Sequence, residues 1–275
     1  MPRVTEPPEP LPIPVFDNHT HLDISRDGEP LDVPAALAAA AAVGVTRVMQ
    51  IGCDLEAAAL TVDLVDRHPE VLGGVALHPN EAPRLADSGR LPTAYETIEA
   101  YAVHPRVRVV GETGLDFFRT GPEGRGAQEE SFRWHIDLAK RLGKVLQVHD
   151  RDAHDDVLRV LEDEGAPDHV VLHCFSGDAA MARECVDRGY HLSFAGPITF
   201  KNNRDLRDAL AVTPLDRVLV ETDAPYLTPH PFRGASNAPA MLPYTVRAAA
   251  AVLGVSVPEL CQQVNGTGER LYGAW

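Results

Sequence analysis

Two histidines separated by a single residue, His19 and His21, follow an apolar run from Ile13 to Phe16. On a β-strand, positions i and i+2 project from the same face, so this pair can hold one cation between its rings or flank a substrate. Alone the pattern is short and common, and two surface histidines at a loop mouth satisfy it as well. Other apolar runs end in residues of the same kind. These are Leu77-His78-Pro79, Gly111-Glu112-Thr113-Gly114-Leu115-Asp116, Gln147-Val148-His149-Asp150-Arg151-Asp152, Leu172-His173-Cys174-Phe175-Ser176 and Val220-Glu221-Thr222-Asp223-Ala224-Pro225. Two further runs, ending Gln50-Ile51-Gly52 and Phe194-Ala195-Gly196, carry no ligand-type residue at their ends. His19, His21, Glu112, His149, His173 and Asp223 suffice for two divalent cations if one carboxylate is shared, as two-metal hydrolytic sites require. The three lysines do not fill the shared position: Lys140 lies in a helical stretch, Lys144 opens a strand and Lys201 follows another. Glu112 ends the fourth strand and already carries the charge a bridge needs.

Such groups need a scaffold that brings strand ends into register. Apolar, β-branched runs alternate with Ala-rich amphipathic stretches eight times. Strands are expected at Val15–His21, Val45–Gly52, Leu72–His78, Val107–Glu112, Val145–His149, Val170–Phe175, Tyr190–Ala195 and Arg217–Thr222. Helices are expected at Val33–Val43, Leu55–His68, Thr93–Val103, Gln128–Leu142, Asp152–Glu164, Ala179–Arg188, Asn203–Ala211, Pro243–Leu253 and Pro258–Leu271. Alternation of this kind implies parallel βαβ units. Eight units in one domain imply a (β/α)8 TIM barrel, with an open doubly wound sheet as the alternative. In a barrel the catalytic groups lie at the C-terminal strand ends, where these residues fall. Residues 1–14, rich in Pro and Glu, are expected as a flexible leader, and residues 15–275 as the barrel domain.

Composition bounds the rest. The chain has 275 residues, 44% of them hydrophobic, which excludes a disordered or fibrous protein. No apolar run approaches a membrane span or a secretory signal core. The four cysteines are scattered with no Cys-x-x-Cys pair, which disfavours a disulfide framework or a zinc-thiolate site and suits a cytoplasmic enzyme. Cys174, beside His173, is expected in the core. The net charge of −15 is unusual for a protein that grips nucleic acid by neutralising phosphates. Phosphate chemistry would then need locally concentrated positive charge, and bound cations supply it.

Taken together, the motifs resemble the TatD-type metal-dependent deoxyribonucleases of the amidohydrolase-like barrels. The resemblance rests on Phe16-Asp17-Asn18-His19-Thr20-His21, on the Glu112, His149, His173 and Asp223 segments quoted above, and on Arg233-Gly234-Ala235-Ser236-Asn237-Ala238-Pro239, which is similar to the family's closing loop. It runs from about residue 15 to the end. It implies one cation held by His19, His21, Glu112 and Asp223, and a second by Glu112, His149 and His173, the ions being Mg²⁺, Mn²⁺ or Zn²⁺. Imidazole with carboxylate suits Zn²⁺ or Mn²⁺ better than Mg²⁺. The implied reaction is 3′→5′ exonucleolytic hydrolysis of single-stranded DNA, with Asp223 orienting the attacking water and receiving its proton.

Outer positions carry two readings each. His78 contacts substrate or steadies a loop. Arg151 and Arg233 clamp phosphate or pair with neighbouring acids such as Asp152. Asn237, in the closing loop, is a candidate substrate contact. Asp116 orients a ligand histidine or caps a helix. Phe117 and Phe118 form a base-stacking platform or pack in the core. His135 is expected to be structural, and His68, His104, His154, His169, His191 and His230 structural or at the surface. Two other functions remain open: the same barrel acting on another ester, amide or phosphoester, including aminoacyl-tRNA, and a metal-binding scaffold without turnover.

Overall fold

Most strands of the protein are built on Val, Leu and Ile, and nearly all their residues are buried, as in a sheet covered on both faces. A computed structural model describes residues 7–25 and 31–275. Eight strands, β1 (Val15–Thr20), β2 (Val45–Gly52), β3 (Val71–Val75), β4 (Val107–Asp116), β5 (Val145–Arg151), β6 (Val170–Leu172), β7 (His191–Phe194) and β8 (Val218–Val220), form one sheet in chain order. β1 pairs with β2, β3 with β4, β4 with β5, β5 with β6 and β7 with β8, each in parallel. Past the end of β8, Thr20 bridges to Ala224 and His21 N–H donates to the Ala224 carbonyl, which returns the sheet to β1. The fold is the (β/α)8 barrel.

The helices are α1 (Val33–Ala42), α2 (Leu55–Arg67), α3 (Glu81–Asp87), α4 (Leu91–Ala102), α5 (Pro122–Leu142), α6 (His154–Glu164), α7 (Ala179–Asp187), α8 (Arg204–Val212), α9 (Leu242–Leu253) and α10 (Val257–Tyr272). Their starts are legible in the sequence. Asp32, Asp54, Asp178 and Ser256 each accept a main-chain N–H of the first turn, and Gly143 and Gly254 end α5 and α9 in the left-handed conformation. Two helices depart from expectation. Helix α3 is additional to the expected helices, and its Pro83 falls in the first turn, where it gives up no helical hydrogen bond. Helix α5 begins at Pro122, six residues before the expected Gln128, with Pro at its first position.

The chain divides into two compact units, residues 1–50 with 177–275 and residues 51–176. In the first, all six residues of β1 are buried, including Asp17, Asn18, His19 and Thr20. The Asn18 amide is bonded on both sides: Nδ2 donates to Ser193 Oγ, and Tyr272 Oη donates to Oδ1. In the second, β4 and β5 pair in register from Thr113↔Val148 to Asp116↔Arg151. That pairing is close at Gly114, where a Cβ would lie 2.1 Å from the His149 carbonyl oxygen at φ 140°. Only glycine fits there.

Part of the expected leader is bound to the body of its unit. Leu11 is buried and its N–H donates to Val43 O, while Arg247 reaches the carbonyls of Glu9 and Pro10. The rest of that leader, residues 1–6, lies outside the described residues.

Candidate metal centre

The first unit supplies one cluster. β1 carries His19 and, one residue past its end, His21, while the turn after β8 carries Asp223. His19 Nε2 and His21 Nε2 are 3.2 Å apart, and they lie 3.8 and 3.3 Å from Asp223 Oδ1. Asp223 adopts φ 53°, a left-handed conformation that non-glycine residues rarely hold, and its N–H donates to His19 O. The strain is held by a network. Asp17 accepts from His19 N, Thr222 N and Thr222 Oγ1, tying β1 to the residue before Asp223. Burial pushes the Asp17 carboxyl up to about 8, against those hydrogen bonds. Asn237 is buried, and its amide donates to Thr222 O and Tyr226 O while Oδ1 accepts from Ala238 N. The expectation of a substrate contact at Asn237 therefore gives way to a positioning role on the turn that carries Asp223.

The second unit supplies another. Glu112 on β4 meets His149 on β5 and His173, the residue after β6. Glu112 Oε2 lies 2.9 Å from His149 Nδ1 and 2.6 Å from His173 Nε2, with those two nitrogens 3.4 Å apart. Burial alone would raise the Glu112 carboxyl. The charge of His173 and the hydrogen bonds of His149 and His173 instead hold it well below the usual carboxylate range. His149 turns its other nitrogen toward Asp116, Nε2 to Oδ2 being 3.4 Å. Burial opposes its charged form, but the bonds to Asp116 and Glu112 raise its pKa overall. Asp116 also accepts from Arg119 N in the turn after β4 and from Asn80 Nδ2; α5 starts only at Pro122, with Gly121 before it, so Asp116 faces His149 and caps no helix.

His78 sits at this second cluster, its ring 4.5 Å from that of His149 and Nε2 3.9 Å from Glu112 Oε2. Burial, then the neighbouring His149, lowers its pKa to about 3, so it is neutral at physiological pH. Arg151 makes no ion pair among the described residues; its guanidinium lies 3.8 Å from the centre of the Phe118 ring. Phe118 is 62% exposed, which removes it from the core. Arg125 covers Phe117 in the same way, at 4.0 Å. Arg233 lies over Phe200 in the first unit, at 4.7 Å. His135 is structural, fully buried between Leu77 N and Ser131 O.

One residue of the second cluster escaped the sequence reading. β2 ends at Gly52, and the next residue, Cys53, places Sγ 3.1 Å from Glu112 Oε1. The strand judged to end without a ligand-type group has one immediately after it.

In each cluster two imidazole nitrogens and a carboxylate oxygen converge within coordination reach of a single point, a donor set that fits a divalent cation of borderline softness. Strand-end groups of this chemistry on an eight-stranded parallel α/β barrel define a metal-dependent barrel hydrolase. The sequence profile described as TatD related DNase matches residues 16–273, and the chain belongs to that family. It is similar to the uncharacterized metal-dependent hydrolase TatD of Mycobacterium tuberculosis, 47% identical over 94% of this chain and 98% of that protein. Escherichia coli YcfH, an uncharacterized metal-dependent hydrolase, is 40% identical over 94% of this chain and 95% of its own length. The crystal structure of YjjV, a TatD homolog of E. coli, superposes with a TM-score of 0.84 at 26% identity, covering 94% and 97% of the two chains.

Proposed function

We propose that the protein is a phosphodiester hydrolase that removes nucleotides from the 3′ end of single-stranded DNA. Two divalent cations would serve it, one at His19, His21 and Asp223 and one at Glu112, His149 and His173. The observation that carries this reading is the recurrence, at strand ends, of two imidazole nitrogens facing one carboxylate oxygen. Bound there, divalent cations supply Lewis-acid polarisation of a phosphate and lower the pKa of water.

The chain's own residues do the rest. Asp223 receives the proton of the attacking water at its carboxylate, which the left-handed turn holds beside His21. Asp116 fixes the ring of His149 so that Nδ1 faces Glu112. Arg151 presents donors to a substrate phosphate from the face of Phe118, whose exposed ring is placed to stack a base.

The test is degradation of a 5′-labelled single-stranded oligonucleotide with Mn²⁺ or Mg²⁺, with EDTA, and with Glu112→Ala protein. A metal-dependent ladder shortening from the 3′ end, lost in the variant, is expected. An intact oligonucleotide under each metal, with cation bound, would refute the nuclease reading. The net charge of −15 favours a second reading, hydrolysis of a small ester or amide. Turnover of such a substrate would be insensitive to salt, whereas nucleic-acid binding weakens with it.

A further inference from the structure

We propose that Cys53 is a metal ligand, its thiolate joining Glu112 at Oε1, the carboxylate oxygen other than the one that His149 and His173 face. The inference rests on the metal centre proposed above and adds a soft donor to it. Glu112 divides its two oxygens: Oε2 faces His149 and His173, and Oε1 faces Cys53 Sγ at 3.1 Å. A cation with Zn–S near 2.3 Å and Zn–O near 2.1 Å separates its sulfur and oxygen ligands by about 3.1 Å at a right angle and about 3.6 Å at the tetrahedral angle. The spacing of Sγ and Oε1 already falls at the edge of that range.

The thiol is also held in place from both sides. Cys53 O accepts from His78 N at 2.8 Å, and the following residue, Asp54, caps α2 by accepting from Ala57 N. Gly52 lies so close to the first turn of α2 that a Cβ would come within 2.6 Å of Ala57 O. Sγ therefore reaches Glu112 by main-chain placement, which is the form a ligand takes when it is built into a site. The thiol now donates its proton to Oε1; on ligation the proton passes to solvent and sulfur binds as thiolate. A thiolate shifts preference toward Zn²⁺ and Co²⁺ and away from Mg²⁺, which prefers oxygen donors.

Cobalt substitution of the full-length protein tests this without recourse to activity. Wild-type protein titrated with Co²⁺ should develop a sulfur-to-cobalt charge-transfer band in the near ultraviolet. Cys174→Ser, which alters the cysteine next to His173, should keep the band. Cys53→Ser and Cys53→Ala, with cobalt still bound and circular dichroism unchanged, should lose it. Both Cys53 variants should also lose at least tenfold in Zn²⁺ affinity relative to Mg²⁺. Cobalt bound with no such band, or a band surviving in both Cys53 variants, would overturn the proposal. Failure to take up cobalt at all would overturn it together with the metal centre. A charge-transfer band in a protein that leaves oligonucleotides intact would sustain the ligand and sink only the nuclease reading.

Discussion

His135 shows how a single buried residue sets a pH limit. Nε2 accepts from Leu77 N, and Nδ1 donates to Ser131 O, so the neutral ring meets both demands. Protonation would set an N–H against the N–H of Leu77. Burial accordingly lowers the pKa to about 4, from about 6.5 for an ordinary imidazole. Because the unfolded chain binds the proton more readily, this contribution is complete above 6.5 and is lost as pH falls through the window toward 4. Between pH 7 and pH 5 the loss is about 2 kcal/mol. Urea titrations at the two pH values, on wild type and His135→Gln, should show the variant's pH dependence reduced by about that amount. Equal pH dependence in both proteins would refute the argument. At the same scale, Asn237→Ala leaves the carbonyls of Thr222 and Tyr226 without their side-chain donor, at about 1–3 kcal/mol. The midpoint of thermal unfolding should fall, and Co²⁺ affinity at the His19, His21 and Asp223 cluster should fall with it, because the turn carrying Asp223 loses its clamp.

At the scale of elements, the candidate metal ligands are fixed by how closely strands approach. Gly114 lets β4 run against β5, and the alanine Cβ of Gly114→Ala would meet the His149 carbonyl at 2.1 Å. That clash must push the strand bearing His149 away from the strand bearing Glu112. We expect a destabilisation of about 1–3 kcal/mol and a weakened cation at Glu112, His149 and His173, read by calorimetric unfolding and by metal titration. A variant that unfolds and binds metal like wild type would show that the backbone can relax around the methyl. The sequence disclosed most of this level. Runs of Val, Leu and Ile gave the strands, and the residues at their ends gave the histidines and acids, because a parallel barrel brings strand ends together. What escaped had a physical cause. Helix α3 carries Pro83 in its first turn, a position where a helix tolerates proline. Cys53 lies one residue past a strand end, and a lone cysteine carries no spacing signal. Asn237 looked like a substrate contact because its three hydrogen bonds run to main chain that only the folded turn brings near.

For the whole molecule, charge is the quantity that decides. A net charge of −15 opposes the approach of a polyanion, so affinity for DNA must come from local donors and cations. Under the proposed function, Arg151 over Phe118 and Arg125 over Phe117 would be such donors, each lying against a ring of the kind that stacks a base. A contact between Arg151 and one phosphate of a single strand releases counterions and contributes about 0.7 to the slope of log affinity against log salt. Binding of a short single-stranded oligonucleotide to metal-loaded Asp223→Asn protein, which should bind without cleaving, isolates this quantity. Arg151→Ala should lower the affinity and flatten the salt slope by about 0.7. Phe118→Ala should weaken binding by about 1–3 kcal/mol and leave the slope unchanged, since stacking moves no counterions. Stripping the metal with EDTA should cost more than either substitution, because it returns a strongly acidic protein to face the strand with arginines alone. If Arg151→Ala kept the full slope, the phosphate contact would have to lie elsewhere, and Arg151 would serve only to brace Phe118.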